Sequence, residues 1–182
     1  MNALLIIDLQ NDFLPGGALP APDGHRIIPL INRIMKEFDV VVASKDWHPP
    51  STLHFENWPP HCIRDTKGAE FPEGLQVQSI EQIFLKGTGG GDQGYSAFEA
   101  TNADLQAYLE ERGVTHLFLA GLTTEYCVKA TALDAILNGN LTFIIKDAIA
   151  GVDQHPGDAE KALKDMELAG GIITDSHNMK RM

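Results

Sequence analysis

Apolar residues in this chain gather into short continuous runs. Runs rich in β-branched or aromatic residues occur at Ala3 to Ile7, Val40 to Ala43, Ile83 to Leu85, Leu117 to Ala120 and Leu141 to Ile145, with a further one at Ile172 to Thr174. Most lack polar alternation, the pattern of parallel strands covered on both faces. Between the runs the period changes to that of a helix. Ile27, Leu30, Ile31, Ile34 and Phe38 share one face of a helix predicted over 27–38. A second helix is expected from Asn102, a good N-cap, to Arg112, with Gly113 as its stop. A third runs from Thr124 to Leu137, ahead of Asn138 and Gly139, and a fourth from Asp158 to Leu168, ahead of a glycine pair. Strands alternating with helices predict a three-layer, doubly wound α/β fold: a mostly parallel six-stranded sheet with helices on both faces. With no internal repeat and no linker, residues 1–182 read as one domain.

Two stretches break the alternation. Asp46 to Gly74 is rich in Pro, His and Trp without clear periodicity, and Gly87 to Gly94 is glycine-rich. Loops this long in a compact domain are functional or disordered, and the Trp and His content of the first argues against disorder. The glycine stretch matches G-x-G-x-x-G at Gly89, Gly91 and Gly94, but no Lys-Ser or Lys-Thr follows, so it is not a Walker loop. It reads as a flexible wall that lets Lys86 and Tyr95 approach a ligand.

In an open parallel sheet, ligands bind beyond the carboxyl ends of the strands. Asp8 follows the first strand, Lys45, Asp46 and His48 the second, Lys86 the third, and Gly121 to Cys127 the fourth. Four strands thus deliver ionisable groups or a thiol to one edge. Cys127 lies just inside a predicted helix start, where partial positive charge favours a thiolate and free N–H groups can hold an oxyanion. A nearby Lys86 would favour the ionised thiol further. Asp8 could take the thiol proton and return it to a leaving amine; its ordinary reading is a helix cap or turn residue, with Asn11 and Asp12 as further candidates for that. Asp46 and His48 are two apart, so they point the same way on an extended chain, and His54 and His61 follow in the same loop. One carboxylate with two or three imidazoles is a ligand set for zinc, manganese or iron. Phe13, Trp58 and Tyr95 could clamp a flat aromatic ring. Each of these residues also has an ordinary reading: a buried cysteine, a solvated lysine, a turn aspartate, surface histidines, core aromatics. Cys62, beside a proposed ligand, is the rival thiol.

Composition narrows the partners. A formal net charge of −11 argues against nucleic acid and anionic membrane. No apolar run approaches the roughly 20 residues of a membrane span, and the amino-terminal segment, with Asp8 early and no basic start, is not a signal peptide. Two cysteines without a secretory signal suggest reduced thiols in a cytoplasmic protein.

Taken together, IIDLQNDF, SKDWHPPSTLHF, WPPHC with TKGAEF behind it, LKG and GLTTEYCVKATALDA make the chain resemble the nicotinamidase (pyrazinamidase) branch of the isochorismatase-like cysteine hydrolases, from Leu4 to about Asp175. The resemblance implies an Asp8–Lys86–Cys127 triad and metal ligands Asp46, His48 and His61, with His54 as a fourth ligand in some members. It implies a cis peptide between Leu122 and Thr123 and an oxyanion hole from the backbone N–H groups of Thr123 and Cys127. Phe13 and Trp58 match ring-sandwiching positions, and Tyr95 and Leu122 complete the implied substrate-binding set. The expected reaction is hydrolysis of nicotinamide to nicotinate and ammonia, with action on pyrazinamide and a role in NAD recycling. The expected cofactor is one divalent metal ion, zinc first and iron or manganese next. The expected partner is a small aromatic amide, with homo-oligomerisation left open. Two rivals stand beside this: a metal-independent relative acting on a carbamoyl, ureido or vinyl ether substrate, and a non-enzymatic binding module on the same fold.

Overall fold

The computed structural model of the protein describes residues 1–91 and 94–179; Asp92 and Gln93 of the glycine-rich stretch, and 180–182, lie outside the described residues. Six strands, β1 (Asn2–Ile7), β2 (Val40–Asp46), β3 (Gln82–Lys86), β4 (His116–Leu122), β5 (Leu141–Ala150) and β6 (Ile172–Thr174), form one sheet in the order β3-β2-β1-β4-β5-β6. Every pairing is parallel. The pleat explains the unbroken apolar runs. Along β1, Leu4 and Ile6 enter one core while Ala3, Leu5 and Ile7 enter the other. Helix α1 (Ile27–Ile34) closes the first core with Ile27, Ile31 and Ile34. Helices α2 (Leu105–Glu111), α3 (Lys129–Leu137) and α4 (Asp158–Leu168) close the second, through Leu105, Leu109, Ala132, Ala135 and Met166. This is the three-layer architecture expected.

The element ends differ from expectation in ways that matter for the site. β2 and β3 run past their apolar residues to Asp46 and Lys86, which are paired across the two strands. Apolarity marks where a strand is covered, whereas the backbone ladder continues for as long as a neighbour is in register. The second helix starts at Leu105, capped by Asp104, whose side chain accepts from the Ala107 N–H at 3.0 Å. Asn102 instead bonds the outer side of β3, accepting from Leu85 N–H and donating to Ile83 O. An edge strand needs such partners, and a side-chain amide supplies both a donor and an acceptor. The first helix gives way to a 3-10 turn at Met35–Glu37, after which Phe38 is extended and packs edge-on against Phe118. α4 has the bounds expected.

Strand order sets the location of the site. The chain winds outward from β1 to β3 and then returns to β4 on the other side of β1. A crevice opens where the winding reverses, beyond the carboxyl ends of β1 and β4. Gly121 marks the close approach there: at φ +116°, an added Cβ would lie 2.1 Å from Ile7 O. No helix among the described residues is long and apolar enough to cross a membrane.

Phe118 stacks on Phe143 with centroids 4.5 Å apart and meets the edge of Phe38 at 5.1 Å. Phe118→Ala is expected to cost about 3–5 kcal/mol in urea unfolding. Leu168→Ala, at a side chain 87% exposed, should change stability by less than about 0.5 kcal/mol. Equal effects of the two would contradict this assignment of the core.

Candidate active site and metal centre

The carboxyl ends of β1, β2 and β3 bring Asp8, Asp46 and Lys86 to one point. The Lys86 side chain is fully buried. Its Nζ lies 2.5 Å from Asp46 Oδ1, 2.8 Å from Asp8 Oδ2, 2.7 Å from Gly94 O and 3.4 Å from Cys127 Sγ. The ammonium donates to Asp46 Oδ1, Gly94 O and Cys127 Sγ, and Asp8 Oδ2 stands beside it as an ion-pair partner. Burial alone would lower the pKa of Lys86, but Asp46 and Asp8 outweigh it and hold the ammonium well above the ordinary lysine range. Lys86 therefore carries a permanent charge and is enclosed, where the sequence suggested a side chain reaching a ligand.

The two aspartates differ. Burial raises both. At Asp46 the charge of Lys86 prevails and keeps the carboxyl well below its usual range. At Asp8 burial prevails over Lys86, the negative charge of Asp46 adds to it, and the pKa is pushed up to about 6. Two carboxylates driven apart in this way take different roles: Asp46 stays ionised, and Asp8 can exchange a proton near neutrality.

Cys127 sits in a π-turn, Thr124–Val128, that precedes α3, where the sequence predicted an α-helix from Thr124. The Thr123 carbonyl accepts from the N–H groups of Tyr126 and Val128, both at 3.1 Å, so the two bonds straddle Cys127. Such widened turns are frequent at functional sites. The Leu122–Thr123 peptide is cis. Burial pushes the Cys127 thiol well above its ordinary range, and the nearby Lys86 does not reverse this because Asp8 and Asp46 oppose it. The resting group is a thiol. The expected thiolate at a helix amino terminus is corrected on this point: full desolvation outweighs one adjacent ammonium.

A cluster of His48, His54 and His61, all buried, adjoins the other carboxylate oxygen of Asp46. One ring nitrogen from each histidine lies within 4.8 Å of the others, and Asp46 Oδ2 is 3.6 Å from His48 Nε2 and 3.8 Å from His61 Nε2. His48 Nδ1 bonds Gly87 O at 3.0 Å and His61 Nδ1 bonds Pro59 O at 2.7 Å. A carbonyl only accepts, so in each ring Nδ1 carries the proton and the Nε2 lone pair turns toward the cluster. Burial lowers the pKa of His61, which keeps that ring neutral. His48 Nε2 is buried with no hydrogen-bond partner. Backbone carbonyls that hold the rings, the neutral His61 ring, an orphaned nitrogen and an ionised Asp46 together fit a divalent metal. Gly87 is required for this arrangement, since a Cβ there would lie 2.6 Å from the His48 ring.

A narrow cleft, with about 20 Å³ of free room, opens onto both groups. Its polar lining is Asp46, His54, His61, Thr123 and Cys127, and its apolar and aromatic lining is Phe13, Leu19, Trp58, Tyr95 and Tyr126. Trp58 Nε1 donates to Tyr95 Oη at 2.9 Å, and the Tyr126 ring meets Trp58 edge-on at 4.8 Å. Wider depressions elsewhere, beside Pro15 and Lys67 and beside Lys129 and Asp165, reach neither Cys127 nor the histidines.

Some residues fall differently from expectation. Leu122 is packed in the first core and does not line the cavity. Cys62 is buried in that core too; its N–H bonds Asp12 Oδ2 at 2.7 Å and its carbonyl accepts from His48 N–H. Asp12 is thereby a loop brace, and Asn11 donates to Lys67 O. Four residues went unnoticed in the sequence reading. Tyr126 and Leu19 line the cavity. Gln10 grips Asp46, accepting from its N–H and donating to its carbonyl, both at 2.8 Å. Ser44 donates to Asp8 Oδ1 at 2.8 Å. Tyr126 adjoins the thiol in sequence, Gln10 lies in the IIDLQNDF stretch and Ser44 opens the SKDWHPPSTLHF stretch, so these three had a positional signal; Leu19 had none.

Comparison with known proteins agrees with this geometry. The sequence matches the isochorismatase domain over residues 2–178. It is 37% identical to the nicotinamidase/pyrazinamidase of Mycobacterium tuberculosis, over 93% of this chain and 96% of that protein. The fold superposes on the pyrazinamidase of Pyrococcus horikoshii in complex with zinc at a TM-score of 0.84 and 39% identity, covering 96% and 98% of the two chains. It superposes on PnC1 from L. infantum in complex with nicotinate at a TM-score of 0.90 and 32% identity, covering 97% and 93%.

The histidine cluster predicts that protein stripped with a chelator takes up about one equivalent of a divalent ion, read by titration with Co(II) and its visible absorption. His48→Ala and His61→Ala should each weaken uptake by more than the 10–100-fold typical of losing a supporting residue. Uptake unchanged in both variants would contradict the site.

Proposed function

The chain belongs to the isochorismatase family, and from that membership and the geometry above we propose that it hydrolyses nicotinamide to nicotinate and ammonia, and pyrazinamide likewise. The observation that carries the proposal is the sharing of Asp46. One carboxylate oxygen holds Lys86 beside the Cys127 thiol while the other faces the three-histidine cluster, and both open on one aromatic-walled cavity. Nucleophile and metal ligands are thus one unit, which suits a substrate with a carboxamide at one end and a ring nitrogen at the other.

In this reading Asp8 takes the proton of Cys127, and the sulfur attacks the carboxamide carbon. Lys86 offsets the negative charge that remains on Asp46 and on the reacting sulfur. The backbone N–H groups of Thr123 and Cys127 hold the oxyanion of the tetrahedral intermediate. Asp8 then gives its proton to the departing nitrogen, ammonia leaves, and a thioester remains on Cys127. Asp8, again a carboxylate, takes a proton from water as the water attacks the thioester, then passes it to the leaving sulfur. This restores the thiol and the carboxylate and releases nicotinic acid, which ionises to nicotinate. Phe13, Trp58 and Tyr95, with Tyr126 beside them, hold the ring and exclude bulk water. Asp46, His48, His54 and His61 would hold zinc, with iron or manganese as the alternatives, and a bound ion supplies a Lewis acid for the ring nitrogen.

We place this activity in a single cytoplasmic domain with reduced thiols, serving the recycling of NAD; both cysteines are free. Purified protein is expected to release ammonia from nicotinamide, to lose that activity on chelation and to regain it with added metal. Cys127→Ala should lower kcat by at least about 10⁴-fold while leaving metal content unchanged. Near-normal turnover by Cys127→Ala would overturn the nucleophile, and release that survives complete metal removal would favour a metal-independent amide hydrolase.

A further inference from the structure

Ser44 has a place in the proton transfer that the reaction as described leaves unassigned. It lies on the face of β2 that also carries Val40 and Val42, two and four residues back, and it is fully buried. A hydroxyl in such surroundings is costly if left without a partner. Its partner is Asp8: Ser44 Oγ donates to Asp8 Oδ1 at 2.8 Å, and the Asp8 N–H returns a bond to Ser44 O at 3.3 Å. The other oxygen of the carboxylate, Oδ2, faces Lys86 Nζ at 2.8 Å.

The two anchors differ in kind. An ammonium attracts both oxygens of a carboxylate, so Lys86 by itself would allow Asp8 to rotate into a two-oxygen contact, away from the sulfur. A neutral hydroxyl on Oδ1 blocks that rotation. We propose that Ser44 is a positioning residue for the reaction: its hydroxyl holds the plane of the Asp8 carboxylate in the orientation in which Asp8 exchanges a proton with Cys127. The inference rests on the cysteine-hydrolase reading of the site. It adds a requirement on β2 that no metal ligand or cavity residue imposes, and the nearby Gln10 does not supply it, since Gln10 holds the backbone of Asp46.

The test compares Ser44→Thr with Ser44→Val, which have nearly the same shape and differ in the hydroxyl. The probe is alkylation of Cys127 by iodoacetamide, followed by peptide mass spectrometry. It needs no amide substrate, so a failure to hydrolyse nicotinamide leaves this test standing. Ser44→Val is expected to be alkylated about 10–100-fold more slowly than Ser44→Thr, the loss that a misplaced reacting group produces. With nicotinamide, kcat should fall in parallel while KM and metal content hold. Combined with Asp8→Asn, the Thr-to-Val difference should vanish to within about twofold, because the hydroxyl then has no carboxylate to orient. Equal rates for the Thr and Val variants would overturn the proposal. So would a Thr-to-Val difference that persists at full size with Asp8→Asn, since Ser44 would then act on packing and not through Asp8.

Discussion

A lysine ammonium with no access to water is the constraint on which this site depends. Moving an isolated ion of that size out of water costs several kcal/mol even after the protein relaxes. Lys86 is tolerated because the charges of Asp8 and Asp46 and the Gly94 carbonyl surround it. Those partners come from the ends of β1 and β2 and from the glycine-rich stretch after β3, so neutralising one charge requires three segments to converge. Gly94 itself has to be glycine: at φ +104°, a Cβ there would lie 2.4 Å from the Gly87 backbone nitrogen.

The same charge sorts the neighbouring groups. It keeps Asp46 ionised, which leaves that residue's second oxygen available to the histidine cluster. It does not overcome the burial of Asp8, whose pKa of about 6 leaves it able to take and return a proton. Nor does it ionise Cys127 at rest. A buried thiol beside a base that can take its proton becomes nucleophilic when the proton moves. The histidine cluster and the Cys127 side chain thus meet through Asp46, which serves both.

The sheet was legible because strands covered on both faces write themselves as unbroken apolar runs, as β1 does from Ala3 to Ile7. Asp8, Asp46, Lys86 and Cys127 were legible as a group because each stands at or just beyond the carboxyl end of a strand. Less was visible where polar groups serve the backbone. Asn102 looks like a helix cap, yet it completes the edge of β3. The π-turn at Thr124–Val128 depends on how the Thr123 carbonyl is shared, which no residue type announces. The ionisation of Cys127 also escaped the sequence, because burial is a property of the packed site. Ser44 stands one residue past the apolar run Val40 to Ala43, and its bond to Asp8 depends on how β1 and β2 pair, which its residue type does not announce.

The account turns on a covalent intermediate at Cys127, and the most direct measurement is rapid acid quench followed by mass spectrometry of the protein's peptides. A phenyl ester of nicotinate serves as the substrate, so that acylation is fast and the thioester has time to accumulate. The account predicts a nicotinoyl adduct on the peptide that carries Cys127 and none on the peptide that carries Cys62. Complete turnover with the Cys127 peptide unmodified at every quench time, or an adduct on Cys62 instead, would contradict it.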